Sequence, residues 1–464
     1  MPLEGPFSWP DKLVVALLLI IGADSLMQSQ LCQAQRTSSL FSGIGTSELA
    51  WQAIGFALLA AGLPFHLQPA FACEISGVCR EVLRDLPIPH IFGDIMMLLA
   101  CEAVSPDWGF GRKVHAMMAA SAFSNGWCYR CQKYCSFHAS DIDTSGSPCQ
   151  DWSSAGLGLG VEGKRIHICL AWARFHLLWE TAIVIHENVT NFDIQLLHHF
   201  MGHMYHIFAV VCGPDDVGFP FCRRRRLYVA LVHKVKMRVL HNPEHVFWRV
   251  CEHLRCQARV EDLLLADGQE VQTEVRLLCG DRRIAVPTVA PAMARAVAAE
   301  SVAPAMARVV AAESVAPAMA RAVEPSIALT SLERVRRDCY DVLWRERFRS
   351  DPRWHCGLVY NLGDNPDGGW ITWSAPTLLG DFCVPTLRRG WTVLWLPALN
   401  RWMTVQERLV LMGIPAYPAL ARLYRFPTTF SLPWHIAKQT IGNGMHLANV
   451  GVWQAVVAAS VARK

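Results

Sequence analysis

The sequence is poor in charge, since Asp, Glu, Lys and Arg make up only 18% of its 464 residues, and neither sign dominates. With 43 basic against 39 acidic side chains the net charge is +4. That is no polyanion-binding tail, so a nucleic-acid partner has to be argued from a site. No apolar run is long enough to cross a bilayer. The longest near the start, residues 13–22 (LVVALLLIIG), is about half of the ~20 residues a span requires. It has the length of a signal-peptide core, but Glu4 and Asp11 precede it and Lys12 is the only base there. A buried strand or helix, or an appended extension, is the better reading. A small disulfide scaffold is also excluded, because the 17 cysteines are scattered along a long chain. They read as reduced thiols of an intracellular protein. What is plentiful is apolar: at 52% hydrophobic, the chain can fill one large domain and a smaller one.

From residue 36 to 234 short apolar runs alternate with helical patterns. Candidate strands are 38–41, 71–74, 142–145, 183–186 and 227–231, with helices at 47–60 and 164–178. That rhythm predicts a doubly wound α/β sheet. Beyond it the pattern fades into a 13-residue tandem repeat at 289–327, built on VAPAMAR. The period is too short for a solenoid and each unit carries a Pro, which predicts a duplicated linker or surface insertion. The sequence therefore divides into an N-terminal extension (1–35), a first domain (36–234), an inserted module (235–400) and a returning C-terminal segment (401–464).

Several stretches carry chemistry. In SLFSGIGTSELAW, Gly43 and Gly45 form a turn between a strand and a helix, where backbone amides can face a ligand. Glu74 ends the second strand, the place where nucleotide binders grip ribose hydroxyls, though a surface Glu reads the same way. Asp94, in FGDI, stands at another turn. Cys149 follows Pro148 after a short strand and precedes a Gly- and Ser-rich loop. A thiolate there is a strong nucleophile, whereas a cysteine taken at random from this chain is a buried thiol. Glu187 closes the apolar strand at 183–186, where a carboxyl can deliver a proton near neutral pH. Arg223–Arg226 stand before the last strand, as a phosphate- or base-holding group or as a solvated basic turn.

Taken in order, these residues resemble the ordered motifs of the cytosine-5 DNA methyltransferase family. FSGIG, CEI and GDI resemble its cofactor motifs, PCQDWS its catalytic Pro-Cys motif and ENV its proton-donating motif. The Arg run is similar to its Gln-x-Arg-x-Arg segment. VPTLRRG (384–390) is similar to the motif that supports its recognition domain, and RWMTVQERLVLMGIP (401–415) and QTIGNGMH (439–446) resemble its closing motifs. The resemblance implies a Rossmann-like methyltransferase sheet with a smaller inserted target-recognition domain. It implies S-adenosylmethionine as cofactor, held by Phe41, Gly43, Gly45, Glu74, Ile75, Asp94 and Asn443. It further implies that Cys149 adds to carbon 6 of a flipped-out cytosine, that Glu187 holds and protonates N3, and that Arg223 and Arg225 steady the base. The expected partner is duplex DNA, bound by a monomer, with no membrane. Two alternatives remain, the family's tRNA-methylating branch and an inactive DNA-binding relative. The expected location is the nucleus in a eukaryote and the cytoplasm in a bacterium. Four positions depart from the pattern: Ser39 for Asp, Thr46 for Gly, Ser147 for Pro and Phe221 for Gln.

The connection between Asp94 and Cys149 is long and contains Cys128, Cys131, Cys135 and His138. Four soft ligands this close can hold zinc, but compact sites usually take ligand pairs from two segments. Ordinary thiols, with no metal, are the expectation.

Overall fold

The structure, a computed structural model, describes residues 5–101, 104–137, 139–153, 156, 158–285, 323–376, 382–388, 392–426, 432 and 434–464. Almost all of the tandem repeat, and His138, lie outside the described residues.

Seven strands form the central sheet: β1 (Ala34–Leu40), β2 (His66–Cys73), β3 (Ile91–Phe92), β4 (Ile142–Ser145), β5 (Ile183–Asn188), β6 (Tyr205–Cys212) and β7 (Arg226–His233). Their spatial order is 3-2-1-4-5-7-6. The first five run parallel, and β7 inserts antiparallel to both β5 and β6. The order reverses between β1 and β4, and a doubly wound sheet opens its ligand crevice outside the strand ends at such a point. The five candidate strands and both helices are present, with helices at Thr46–Ala60 and Ile166–Trp179. Two strands, β3 and β6, were not among the candidates.

Both faces of the sheet are covered, which is why β6 and β7 read as largely apolar runs. Along β7 the residues alternate: Tyr228, Ala230 and Val232 enter one apolar cluster, Leu227, Val229 and Leu231 the other. The first cluster is closed by the helices Trp9–Ile21, Thr46–Ala60, Pro243–Leu254 and Leu447–Ala459, the second by Ile166–Trp179. The apolar run near the start is thus a buried helix that sets Leu13 and Leu17 into the core. Trp9 crosses the last helix so closely that a Cβ on Gly451 would stand 2.3 Å from its ring. Among the described residues no helix is long and apolar enough to cross a membrane.

All thirteen residues of Leu447–Ala459 are buried, so its polar side chains must find partners. Gln454 donates to Ser47 Oγ (2.7 Å) and Thr144 Oγ1 (2.9 Å), and Asn449 donates to the Gly213 carbonyl (2.8 Å). These bonds tie the end of the chain to the segments following β1 and β6 and to β4. A smaller third cluster gathers Val275, Leu278, Tyr340, Trp344, Trp373 and Trp395. It is built on the helices Gly268–Asp281 and Ser331–Phe348 and a three-stranded sheet, Tyr360–Asn361, Leu394–Leu396 and Arg401–Trp402. Residues of the helix Pro243–Leu254 still belong to the main core.

Candidate active site

The crevice at the order reversal begins where β1 ends. Phe41 (φ 58°), Gly43 (φ 56°) and Gly45 (φ 82°) all take left-handed backbone. This is costly for a phenylalanine and natural for the glycines. Gly45 is fixed by space as well, because a Cβ there would lie 2.2 Å from Leu86 Cδ1. The turn delivers the chain into the helix Thr46–Ala60 with its first amides facing the crevice. Glu74, buried at the tip of β2, accepts from the amides of Gly43 (2.9 Å) and Ser76 (2.8 Å). Burial raises its pKa, while those two amides pull it back. Ile75 is 67% exposed, and Asp94 caps the turn after β3 by accepting from Met96 N (3.0 Å). Ser39 donates to Glu48, a partly buried carboxyl whose pKa is pushed up to about 7, chiefly by desolvation.

A small cavity of ≈ 40 Å³ joins this turn to the next strand tips, lined by Phe41, Gly43, Thr46, Glu187, Gly444 and Met445. Larger cavities open elsewhere, one of ≈ 660 Å³ against the N-terminal helix. Asn443 follows within the short turn Ile441–Asn443, and its side chain lies outside the described residues.

Cys149 and Glu187 come from neighbouring parallel strands, β4 and β5, in which Ser145 pairs with His186. The two tips are laced together. Ser147 Oγ bonds His186 Nε2 (2.9 Å), and Asn188 Nδ2 donates to both the Ser147 carbonyl and its hydroxyl (3.3 and 3.2 Å). Ser147 thus braces the loop before Cys149 by hydrogen bonds. His186 is buried and its pKa falls to about 3, so it is neutral. After Cys149 the chain turns at once, its carbonyl accepting from Trp152 N (3.0 Å) and Ser153 N (2.8 Å). The thiol is half-buried. Desolvation first, and then the Glu187 charge, raise its pKa, with Arg226 and Arg224 acting against them.

The arginines require a correction of register. Arg223 and Arg225 are exposed, and Arg225 turns outward to Asp216 (3.3 Å) and Asp215 (3.9 Å). Arg224 and Arg226 face the site. Arg226 Nε lies 3.3 Å from Glu187 Oε1, an ion pair whose angle does not make it a hydrogen bond. The reason is the period of two: β7 begins at Arg226, so residues 224, 226 and 228 project to one side and 223 and 225 to the other.

Arg224 is fully buried and holds distant segments together. It donates to the carbonyls of Gly444 (2.7 Å), Leu387 (3.3 Å) and Gly442 (3.4 Å). The backbone reinforces this, as Arg223 N bonds Val384 O (3.0 Å) and Val384 N bonds Phe221 O (2.7 Å). The VPTLRRG and QTIGNGMH segments are therefore fastened to the arginine turn. Arg224→Ala leaves three carbonyls without a donor and is expected to cost about 2–4 kcal/mol of stability. Arg225→Ala, losing an exposed pair, is expected to cost under ~1 kcal/mol. Denaturant midpoints of the two variants check this, and equal midpoints would contradict it.

A family model described as C-5 cytosine-specific DNA methylase matches residues 130–276. Three solved structures each align over 92% of this chain and 98% of their own. A prophage-encoded DNA modification methyltransferase (E. coli) is 16% identical with a TM-score of 0.42. The Dnmt2 methyltransferase of S. pombe is 12% identical at 0.43, and the methyltransferase EhMeth of Entamoeba histolytica 10% at 0.42. No curated protein matches the chain. Residues 130–276, which hold Cys149, Glu187, Arg224 and Arg226, thus carry the signature of the C-5 cytosine-specific DNA methylase family.

Proposed function

We propose that this protein transfers a methyl group from S-adenosylmethionine to carbon 5 of cytosine in duplex DNA, with Cys149 as nucleophile. The observation that carries the reading is that Cys149, in the loop that follows β4, acts electrostatically on the same site as Glu187 of the adjacent β5, with Arg226 on Glu187. Carbon 5 of cytosine is too weak a nucleophile to take a methyl group unaided. Addition of the Cys149 thiolate to carbon 6 shifts an electron pair toward carbon 5, while Glu187 holds N3 and supplies its proton. When bound, the cofactor supplies an electrophilic methyl carbon on a sulfonium. Loss of the carbon 5 proton then expels Cys149 and restores the 5,6 double bond. Arg226 keeps Glu187 oriented, and Arg224 keeps the floor of the site closed.

The residues fit the cofactor. Gly43 and Gly45 give a turn without side-chain bulk, Phe41 lines the cavity beside it, and Glu74 has lone pairs left for ribose hydroxyls. Ile75 offers an exposed apolar face, and Asp94 and Asn443 complete the set. A base inside a duplex cannot reach Cys149, so the target is flipped out. The smaller cluster is the target-recognition module. Trp373 packs inside it, while Trp354 (77% exposed) and Trp370 (66%) stay available to nucleic acid.

Covalent capture tests the reading. Duplex DNA carrying 5-fluorocytosine, incubated with protein and cofactor, is expected to give a denaturant-resistant adduct. Capture on tRNA alone would move the substrate to RNA, and capture on neither would point to an inactive binding relative.

A further inference from the structure

The run Cys128, Cys131 and Cys135 folds into a short hairpin between β3 and β4, its strands Asn125–Cys128 and Lys133–Ser136 paired antiparallel. Gln132, at positive φ (55°), reverses the chain and donates to the Cys128 carbonyl (2.8 Å). This turn puts Cys128 and Cys131 side by side with Cys135 across from them. A fourth group arrives from another part of the chain. His90, immediately before β3, places Nδ1 3.6 Å from Cys131 Sγ and 3.8 Å from Cys128 Sγ. The ligand atoms of all four residues lie within 4.8 Å of one another.

We propose that His90, Cys128, Cys131 and Cys135 bind one structural zinc ion. Tetrahedral zinc with Zn–S ≈ 2.3 Å and Zn–N ≈ 2.0–2.1 Å separates sulfur from nitrogen by about 3.6 Å, the spacing seen here. The sulfurs are also prepared for negative charge, since Cys128 Sγ accepts from the amides of Ile91 and Cys131, both at 3.4 Å. No disulfide competes for them, all three cysteines being free. Binding deprotonates three thiols, takes a neutral imidazole and leaves a closed site with no position for water, which marks it as structural. The ligands come from two segments, the requirement that the cysteine run alone did not meet.

The ion clasps the hairpin to β3, and the clasp reaches the crevice. Tyr129 N bonds Ile91 O (2.7 Å). The Tyr129 ring lies against Gly93, where a Cβ would meet it at 2.8 Å, and stacks under Arg80 at 3.9 Å. Arg80 in turn donates to the carbonyls of Glu74 (2.9 Å) and Ile75 (2.6 Å). Zinc thus braces the strand tips that carry Glu74, Ile75 and Asp94. The metal site stands whichever nucleic acid the protein methylates.

The test is metal content of the untagged, full-length protein together with Co(II) substitution. One zinc per chain is expected, and Co(II) should give the visible bands of a tetrahedral thiolate site. His90→Ala and Cys131→Ser should each weaken Co(II) binding by more than the 10–100-fold typical of second-shell changes. Cys356→Ser, far from the cluster, should leave it unchanged. A folded wild-type protein with no stoichiometric zinc and no tetrahedral Co(II) spectrum would overturn the proposal. So would unchanged metal binding in both ligand variants. Should those variants fail to fold, the wild-type zinc content and Co(II) spectrum decide.

Discussion

Cys149→Ala is expected to abolish methyl transfer, lowering kcat/KM by a factor on the order of 10⁴ or more, while the protein stays folded. The size follows from the chemistry, because without addition at carbon 6 no other group here can activate carbon 5, and removal of a covalent nucleophile ranks among the largest single-residue effects. Retention of the fold follows from the geometry. Cys149 is only half-buried, and it belongs to none of the three apolar clusters. Its backbone carbonyl, which starts the following turn, survives the substitution. The thiol pKa is raised by desolvation and by Glu187, so the free protein carries mostly thiol at neutral pH. The active thiolate fraction therefore grows as pH rises, by about tenfold per unit below the pKa. A Cys149→Ala protein that still methylates would contradict this assignment.

Arg226→Ala is expected to lower kcat/KM by on the order of 10²–10³, and Arg225→Ala to leave it near wild type. Arg226 and Glu187 are 18% and 13% exposed, so their interaction is little screened. Losing the guanidinium frees the carboxylate that has to meet the base, and a misplaced polar group in a dry site costs several kcal/mol of transition-state stabilisation. Arg225 meets Asp215 and Asp216 in water, where such pairs contribute little. Steady-state kinetics on both variants separate the two registers. A silent Arg226→Ala beside a crippled Arg225→Ala would return the role to the outward-facing residues.

These arginines show where sequence reasoning stops. The glycine turn, the Pro-Cys loop and the strand-terminal Glu187 were legible because each is a local pattern with a single geometric reading. Four consecutive arginines are not. Which pair faces the site depends on the residue at which β7 enters the ladder, and that is set by its partner strands, Arg226 pairing with Cys212 of β6 and Leu227 with Asn188 of β5. The strand β6 was missed for a related reason: YHIFAVVC shows no clean alternation, and its identity comes from its place beside β7. His90 lay hidden because a metal site is assembled in space. The cysteine spacing announced three ligands and drew attention to His138, whereas the imidazole at hand comes from the start of β3. The staple role of Arg224, reaching carbonyls 163 to 220 residues further along the chain, had no signal in the sequence beyond the motifs it fastens.

The central claim is tested most directly by following the methyl group from radiolabelled S-adenosylmethionine into unmethylated duplex DNA and, in parallel, into tRNA. The account predicts label in DNA cytosine at carbon 5 and none in tRNA. Label confined to tRNA, or no label in either from folded protein that still binds the cofactor, would contradict it.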